Sequence, residues 1–294
     1  MNYVSWEISV VVLLPALFLC GFVYYKDKIE KEPIGLLALL FVIGGVTYIP
    51  SYALERLISG GFDKLFSHFI EFGADGVAEY SSELASVLHS FLTSFFAIAL
   101  VEACMKWLVL YFSTRRNKHF NYLFDGIVYS VFISLGFCAC ENLRFAWLNG
   151  WDMIVLKALS SVPSHLFVGI LMGYYFSRWH VHKEADDDEE ELIRLGIISK
   201  RKLKEPWKRL FISLVVPMCV CGVFFFASSI DSKIINTIFY FTVFIMLGVS
   251  FINIDRIASR DRSAYKFSKK LLMDKHPELD GAVWNELDRI RKEK

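Results

Sequence analysis

The chain has 294 residues, of which 55% are hydrophobic and 16% are aromatic, and its mean hydropathy is +0.42. This composition excludes an ordinary soluble domain and indicates a membrane protein. All six cysteines lie in apolar stretches, which excludes an extracellular disulfide framework. The net charge of +1 averages apolar segments with charged loops, and the sequence has no zinc-finger spacing or basic–aromatic patch that would indicate a nucleic-acid partner.

Seven apolar runs are long enough to cross a lipid bilayer, which requires about 20 residues each. They lie near residues 5–25, 34–55, 86–112, 124–147, 153–179, 209–229 and 234–254. We therefore predict an all-α integral membrane protein with about seven transmembrane helices that enclose a polar chamber. The membrane domain is predicted to cover residues 1–255.

Two charged segments are predicted to lie outside the membrane. Residues 180–208 are predicted to be a cytoplasmic loop, and their acidic run at 184–191 is expected to be solvated, with cation binding as the alternative. Residues 256–294 are predicted to form a cytoplasmic amphipathic helical tail that breaks near Pro277 and Gly281 and docks on the membrane surface or on the other loops. Its predicted apolar face consists of Leu271, Leu272, Val283, Trp284 and Leu287.

The distribution of basic residues predicts the orientation of the chain. Basic residues follow the first and third runs and precede the sixth, whereas the segment 58–84 is acidic. The basic groups are Lys26, Lys28 and Lys31, then Arg115, Arg116 and Lys118, and then those of residues 200–209. Because cytoplasmic loops carry an excess of lysine and arginine, we predict an outside N-terminus and a cytoplasmic C-terminus.

Glu102, Lys106, Glu141 and His165 are ionisable residues that all lie inside the apolar runs. A charged side chain near the bilayer centre costs roughly 2.5–3.5 kcal/mol, so such residues usually face a wet cavity or each other. Glu102 and Lys106 are four residues apart, which places them on one face of a helix as an ion pair. The default interpretation is a functional polar site within the membrane.

Small residues in the fourth and fifth runs are predicted to allow close helix approach. A small-residue stripe with helical spacing runs along the fourth, and Gly169 and Gly173 follow His165 in the fifth. The stripe consists of Gly126, Ser130, Ser134, Cys138 and Glu141. Pro163 removes one backbone donor and so releases a carbonyl oxygen in the helix that carries His165.

Two carboxylates and an imidazole suit hydrolysis. A glutamate takes a proton from water, and a histidine binds a metal or stabilises an oxyanion. Three structural interpretations stand beside this one. Glu102 and Lys106 form a structural ion pair, His165 hydrogen-bonds the carbonyl released by Pro163, or Glu141 pairs with Arg144.

Several segments resemble the PrsW family of polytopic membrane proteases, which is related to the CAAX-prenyl-protease and bacteriocin-processing group. The similarity runs from about residue 27 to 229 and is carried by an acidic stretch at 27–33 that ends in Glu-Pro, by Phe124–Tyr129, Gly136-Phe137 and Glu141-Asn142, and by Ser164-His165 with Gly173-Tyr174. The order and spacing of these blocks agree with the family.

The chain departs from the family pattern at three positions. The first family motif is Glu-Glu-x-x-Lys, and here Ala103 stands in place of the second glutamate, as a natural loss or an engineered substitution. A later helix of the family typically carries a His-Gly pair with a polar residue three positions beyond the glycine. The aligned residues here are Cys221, Gly222 and Phe225.

The resemblance implies an intramembrane endopeptidase that cuts a single-pass membrane protein, with an anti-sigma factor as one such substrate. Glu102 is then the general base, Glu141 a second acid or metal ligand, His165 a metal ligand or oxyanion donor, and Lys106 the charge partner. The cofactor is either none or a divalent metal such as zinc, held by Glu141 and His165. The alternatives are a catalytically dead relative that binds transmembrane partners and, less favoured, a small proton-coupled transporter.

Overall fold

The computed structural model of the protein describes residues 6–72, 78–114, 117, 119–149, 151–203, 207–230 and 232–293. Its helices are α1 (Trp6–Lys26), α2 (Ile34–Phe66), α3 (Glu83–Leu92), α4 (Leu100–Thr114), α5 (Asp125–Asn149), α6 (Trp151–Arg194), α7 (Trp207–Ser229), α8 (Lys233–Ser259), α9 (Ala264–Lys275) and α10 (Gly281–Glu293). A π-helical segment, Thr93–Ala99, joins α3 to α4. A 3₁₀ turn, Ser67–Phe69, and an antiparallel pair of short strands, β1 (Ile70–Phe72) and β2 (Ala78–Tyr80), connect α2 to α3.

The predicted all-α membrane class is confirmed. Within the described residues, six helical stretches are long and apolar enough to cross a bilayer: Ser9–Lys26, Ile34–Phe69, Glu83–Thr114, Asp125–Asn149, Trp207–Ser229 and Lys233–Ser259. The predicted span at 153–179 lies within α6, which is not among these six. With 44 residues, α6 is about 66 Å long and therefore exceeds the thickness of a bilayer. The number of seven spans stays a prediction.

Helix α5 is the centre of the bundle and packs against α1, α2, α4 and α6. Glycines permit two of these contacts. A Cβ at Gly136 would lie 2.0 Å from the carbonyl oxygen of Phe41, and a Cβ at Gly173 would lie 2.3 Å from that of Gly126. The close helix approach predicted for Gly173 is confirmed, because the backbone of α6 meets that of α5 at Gly126.

The predicted loop at 180–208 requires a correction, since its first half continues α6 as far as Arg194. The helix ends where Gly196 adopts a positive φ of 71°. The acidic run is also not fully solvated. Glu189 is completely buried and accepts hydrogen bonds from the backbone N–H groups of Lys202 and Leu203 and from His276 Nε2 at 2.6 Å.

The C-terminal tail forms two helices, α9 and α10, with a break between Lys275 and Gly281. It docks on the end of α6 through a second apolar core. This core consists of Leu192, Ile198, Leu272, Trp284 and Leu287, with Leu203, Leu279 and Val283 packed against it. Most of the predicted apolar face of the tail is therefore buried against residues 192–203, at the end of α6 and just beyond it.

The predicted orientation and the division at residue 255 stay predictions. Several charged residues used for the orientation lie outside the described residues, namely Asp75, Arg115, Arg116, Lys118 and Lys204. Helix α8 runs without interruption across residue 255 to Ser259.

Candidate active site

Five ionisable side chains form a continuous chain of polar contacts inside the helix bundle. Lys106 Nζ lies 2.6 Å from Glu102 Oε2 and 3.2 Å from His165 Nδ1. His165 Nε2 lies 3.1 Å from Glu141 Oε2, and Lys157 Nζ lies 2.6 Å from Glu141 Oε1. Three helices supply the groups, with Glu102 and Lys106 on α4, Glu141 on α5, and Lys157 and His165 on α6.

Local packing fixes the positions of these groups. The i, i+4 spacing on α4 brings Glu102 and Lys106 together. The hydroxyl of Ser134 on α5 donates to the carbonyl of His165 at 2.7 Å, which sets the register of α5 against α6. The ring of Phe137 stacks on the imidazole of His165 at a centroid distance of 5.9 Å and lies 4.1 Å from Lys106 Nζ.

The contacts assign the tautomer of His165. The ammonium of Lys106 has no acceptor lone pair, so His165 Nδ1 must accept its hydrogen bond. His165 Nε2 then carries the proton and donates to Glu141. The imidazole is thus neutral and connects a cation to a carboxylate.

Charge compensation explains why the bundle tolerates this cluster. The side chains of Glu102 and Lys106 are 3% and 1% exposed, so either charge alone would be costly. Two carboxylates, two ammonium groups and a neutral imidazole give a formal sum of zero for the five side chains. The cluster is a closed network of opposite charges within the apolar bundle.

The three structural interpretations have different outcomes. The Glu102–Lys106 ion pair is confirmed. The prediction that His165 bonds a released carbonyl is wrong, because both ring nitrogens face charged side chains. The pairing of Glu141 with Arg144 is also wrong. The guanidinium carbon of Arg144 instead lies 3.7 Å from the centroid of the Tyr52 ring. Glu141 forms its ion pair with Lys157.

A cavity of about 250 Å³ lies beside the cluster, between α5, α6, α7 and α8. Glu141, Lys157 and His165 form its polar wall. It extends to Ser228 and Tyr240, at the end of the bundle that is predicted to face outside. A polar wall on an otherwise apolar cavity is typical of a substrate site.

Of the three positions that depart from the family pattern, two line the cavity and one lies in the apolar core. Cys221 and Phe225 line the cavity together with Glu141 and His165. Ala103 is 1% exposed and belongs to the main apolar core, so it is not part of the cavity wall. The second glutamate of the family motif would therefore stand on the core side of α4.

The sequence analysis missed two residues, one that belongs to the cluster and one that lies beside it. Lys157 lies close to the start of the predicted fifth span, and a basic residue inside an apolar run was the signal for it. Glu55 lies at the end of the predicted second span, accepts a hydrogen bond from Ser51 at 2.8 Å and interacts electrostatically with Glu102 and Glu141. Glu55 is thus a third carboxylate beside the network.

Comparison with known proteins decides the family. Residues 32–251 match the model of the PrsW family intramembrane metalloprotease. The chain belongs to this family. No solved structure matches it.

Three curated relatives of the chain are named Protease PrsW. The protein of Oceanobacillus iheyensis is 34% identical over 170 residues, which cover 58% of this chain and 68% of the relative. That of Bacillus subtilis is 26% identical over 238 residues, or 80% of this chain and 87% of the relative. That of Clostridioides difficile is 28% identical over 231 residues, or 77% and 81%. The similarity to PrsW proteases thus extends over most of the membrane domain.

The family is described as a metalloprotease, and the donor set of the cluster fits a divalent metal. Glu102, Glu141 and His165 each offer one ligand atom, and these atoms lie within 4.8 Å of one another. Carboxylates and imidazole are donors of catalytic zinc, which keeps one further position open for water. The ammonium of Lys106 contacts both Glu102 and His165, so a cation held by these two residues would have to displace it.

Proposed function

We propose that this PrsW family member is an endopeptidase that hydrolyses a peptide bond in a single-pass membrane protein. The observation that carries the proposal is the linked cluster of Glu102, Lys106, His165 and Glu141 beside a cavity inside the membrane domain. Anti-sigma factors are one substrate class within this proposal, and the resemblance to the family supports that part.

Glu102 is the proposed general base. A water molecule that lies among the ligand atoms of Glu102, Glu141 and His165 can contact all three, since these atoms are within 4.8 Å of one another. Glu102 accepts a proton from this water as its oxygen attacks the scissile carbonyl carbon, and the proton then passes to the departing amide nitrogen. Lys106 balances the charge of Glu102 and holds it in place.

His165 and Glu141 are proposed to act at the cavity wall. The Nε2–H of His165, whose hydrogen bond Glu141 accepts in this structure, is proposed to transfer that bond to the oxyanion that develops on the carbonyl, and Lys157 then remains as the partner of Glu141. In the alternative with a metal, a divalent ion such as zinc held by Glu141 and His165 would supply Lewis-acid polarisation of the carbonyl or the water, and Glu102 would stay the general base.

The first test compares two variants of the purified chain in liposomes that contain a single-pass reporter. We expect Glu102→Gln to lower cleavage by about 10²–10⁴-fold, the usual contribution of a general base, while membrane insertion is normal. The matched control is Glu83→Gln, which changes an exposed carboxylate at the start of α3. Cleavage by Glu102→Gln at the rate of the unchanged chain would remove Glu102 from this role.

A second candidate function is a catalytically dead relative that binds transmembrane segments, and the observation in its favour is the loss of motif residues at Ala103 and Cys221. The test adds Ala103→Glu to the same assay. Cleavage by the unchanged chain shows that Glu102 is sufficient for activity without a second glutamate in the motif. Cleavage only after Ala103→Glu shows that Ala103 is the reason for the inactivity of the unchanged chain. A reporter that co-purifies intact with both versions supports the binding function.

A further inference from the structure

Arginine and tyrosine side chains line a second concave region of the molecule, at the opposite end of the bundle from the polar cavity. Two neighbouring cavities share Tyr174 and Tyr175 as lining residues. One has a volume of about 430 Å³ and lies between α6 and α8, and the other has about 260 Å³ and lies between α6 and α7. We call the two together the arginine cleft. Its basic residues are Arg178, Arg209, Arg256 and Arg260.

The basic groups of the arginine cleft are not neutralised by carboxylates. All four arginines are exposed, and none of them pairs with an acidic side chain among the residues that the structure describes. Arg178 donates to the hydroxyl of Tyr174 at 2.9 Å. Asp261 also lines the cleft, but its carboxylate accepts hydrogen bonds from the backbone N–H groups of Phe124 and Arg262.

The arginine cleft lies where a bilayer surface would meet the bundle. Arg178 stands at the end of the predicted span 153–179, Arg209 in the first turn of α7 and Arg256 and Arg260 at the end of α8. All four are therefore at one level of the membrane. Arginines at this depth are placed to meet the phosphate groups of lipids.

The lining of the arginine cleft changes from basic to apolar along α6. Ile170 and Leu171 line the same cavity as Arg256 and Arg260, and they precede Arg178 by about 12 Å along the helix axis. Tyr174 and Tyr175 lie between the two levels. This sequence of guanidinium, phenol and aliphatic groups matches the headgroup, interface and acyl chain of a phospholipid.

We propose that the arginine cleft binds an anionic phospholipid, with the arginines on its phosphodiester headgroup and an acyl chain against Ile170 and Leu171. The ligand chemistry that the arginines recognise is a phosphate-type anion, since a guanidinium forms paired hydrogen bonds with phosphate oxygens. The apolar part of the cleft selects a lipid over a free phosphate. This inference is independent of the proteolytic function.

The test measures ligand-dependent thermal stabilisation of the full chain in a neutral detergent. The probes are dioctanoyl phosphatidylglycerol, dioctanoyl phosphatidylcholine and glycerol phosphate at equal concentrations. We expect stabilisation by phosphatidylglycerol alone. Equal stabilisation by phosphatidylcholine would overturn the selectivity for anionic lipid, and equal stabilisation by glycerol phosphate would overturn the lipid assignment in favour of a soluble phosphate compound.

Two double variants distinguish lipid binding at the arginine cleft from a general attraction between the positively charged surface and anionic lipid. Arg256→Gln with Arg260→Gln removes two charges from the arginine cleft. Arg262→Gln with Lys266→Gln removes two exposed charges that do not line it. We expect the first pair to weaken phosphatidylglycerol binding by roughly tenfold, and the second pair to leave it unchanged. Equal losses in the two pairs would overturn the proposal, and unchanged melting without ligand verifies that both pairs fold.

Discussion

At the scale of single residues, the buried network is stable only as a whole, because each charge compensates a neighbour. Lys157 is the terminal member, with a side chain that is 26% exposed, and its partner Glu141 is 13% exposed. Replacing Lys157 by glutamine leaves Glu141 with His165 as its remaining partner. We expect Lys157→Gln to lower the free energy of unfolding by about 1–3 kcal/mol, the usual cost of an unsatisfied buried charge.

The control for this prediction is Lys183→Gln, on the same helix. Lys183 also pairs with a carboxylate, that of Asp187, but their side chains are 44% and 54% exposed. An exposed pair contributes about 0–1 kcal/mol, so this variant should unfold almost like the unchanged protein. Denaturant titrations in mixed micelles compare the two. Equal effects would show that burial of the Glu141–Lys157 pair is not what stabilises it.

Cys221 tests whether the cavity wall can complete a metal site. Its thiol lines the same cavity as Glu141 and His165, at the position where the family typically has a histidine. We expect Cys221→His to raise the amount of zinc bound per purified chain. A neutral imidazole can bind zinc directly, whereas a thiol buried in apolar surroundings must first lose its proton. Metal content after dialysis against zinc, measured by elemental analysis, checks this.

The matched control is Cys219→His on the same helix. Cys219 is exposed and lies two residues away, on a different face of α7. Cys219→His therefore introduces an imidazole that does not line the cavity. An equal gain of zinc in both variants would indicate adventitious binding and would contradict the placement of Cys221 at the site.

The sequence predicted the parts of the site that depend on local geometry. The Glu102–Lys106 pair follows from a spacing of four residues on one helix. The contact between Glu141 and Lys157 does not, because it joins two helices, and the nearer charged residue Arg144 was the more obvious partner. Which long-range partner is correct depends on the register of α5 against α6, and no spacing within either helix determines that register.

At the scale of helices, glycines set how closely the central helix approaches its neighbours. A methyl group at Gly136 would lie 2.0 Å from the carbonyl oxygen of Phe41, which is backbone and cannot rotate away. We expect Gly136→Ala to force α2 and α5 apart and to lower the free energy of unfolding by about 1–3 kcal/mol, as overpacking usually does. Thermal melting of the purified chain in detergent measures the change.

Gly248→Ala in α8 is the control, because nothing lies within 4 Å of a Cβ at that position. Alanine is the better helix former, so this variant should be as stable as the unchanged protein or slightly more stable. If Gly136→Ala melted at the same temperature as Gly248→Ala, the close contact between α2 and α5 would not contribute to stability.

The apolar runs predicted where the membrane helices lie, and α7 and α8 begin within two residues of the prediction. The C-terminal part of α6 was missed because its acidic residues were interpreted as solvated charge. Burial of Glu189 depends on the backbone of Lys202 and Leu203 and on His276, which is 87 residues away in the sequence. Such a partner is found only when the fold brings distant segments together.

At the scale of the whole molecule, α6 connects the two ends of the protein. The same helix carries His165 at the polar cavity, Arg178 at the arginine cleft and Glu189 at the hydrogen bond to His276 beside α9 and α10. Helix α6 is therefore continuous from the imidazole of His165 to the apolar core that holds the C-terminal tail.

Two further segments supply a group of buried and half-buried carboxylates, and this group predicts how stability depends on pH. Glu32 and Asp27 lie in the loop between α1 and α2, and Asp261 follows α8. Burial raises the pKa of Glu32 from 4.5 to about 7, despite a hydrogen bond from the hydroxyl of Tyr129. Burial also raises the pKa of Asp261 to about 6 and that of Asp27 above its ordinary value.

Raised carboxyl pKa values make the protein more stable at acidic pH. Between pH 4.5 and about 7 the native state holds a proton on Glu32 that the unfolded chain has lost, so the free energy of unfolding decreases as the pH rises through this range. We expect a higher melting temperature at pH 5 than at pH 8. Glu32→Gln should reduce this difference and leave the part due to Asp27 and Asp261, whereas Glu30→Gln, at an exposed neighbour, should preserve it. An unchanged difference between pH 5 and pH 8 in Glu32→Gln would show that Glu32 is ionised in the folded protein.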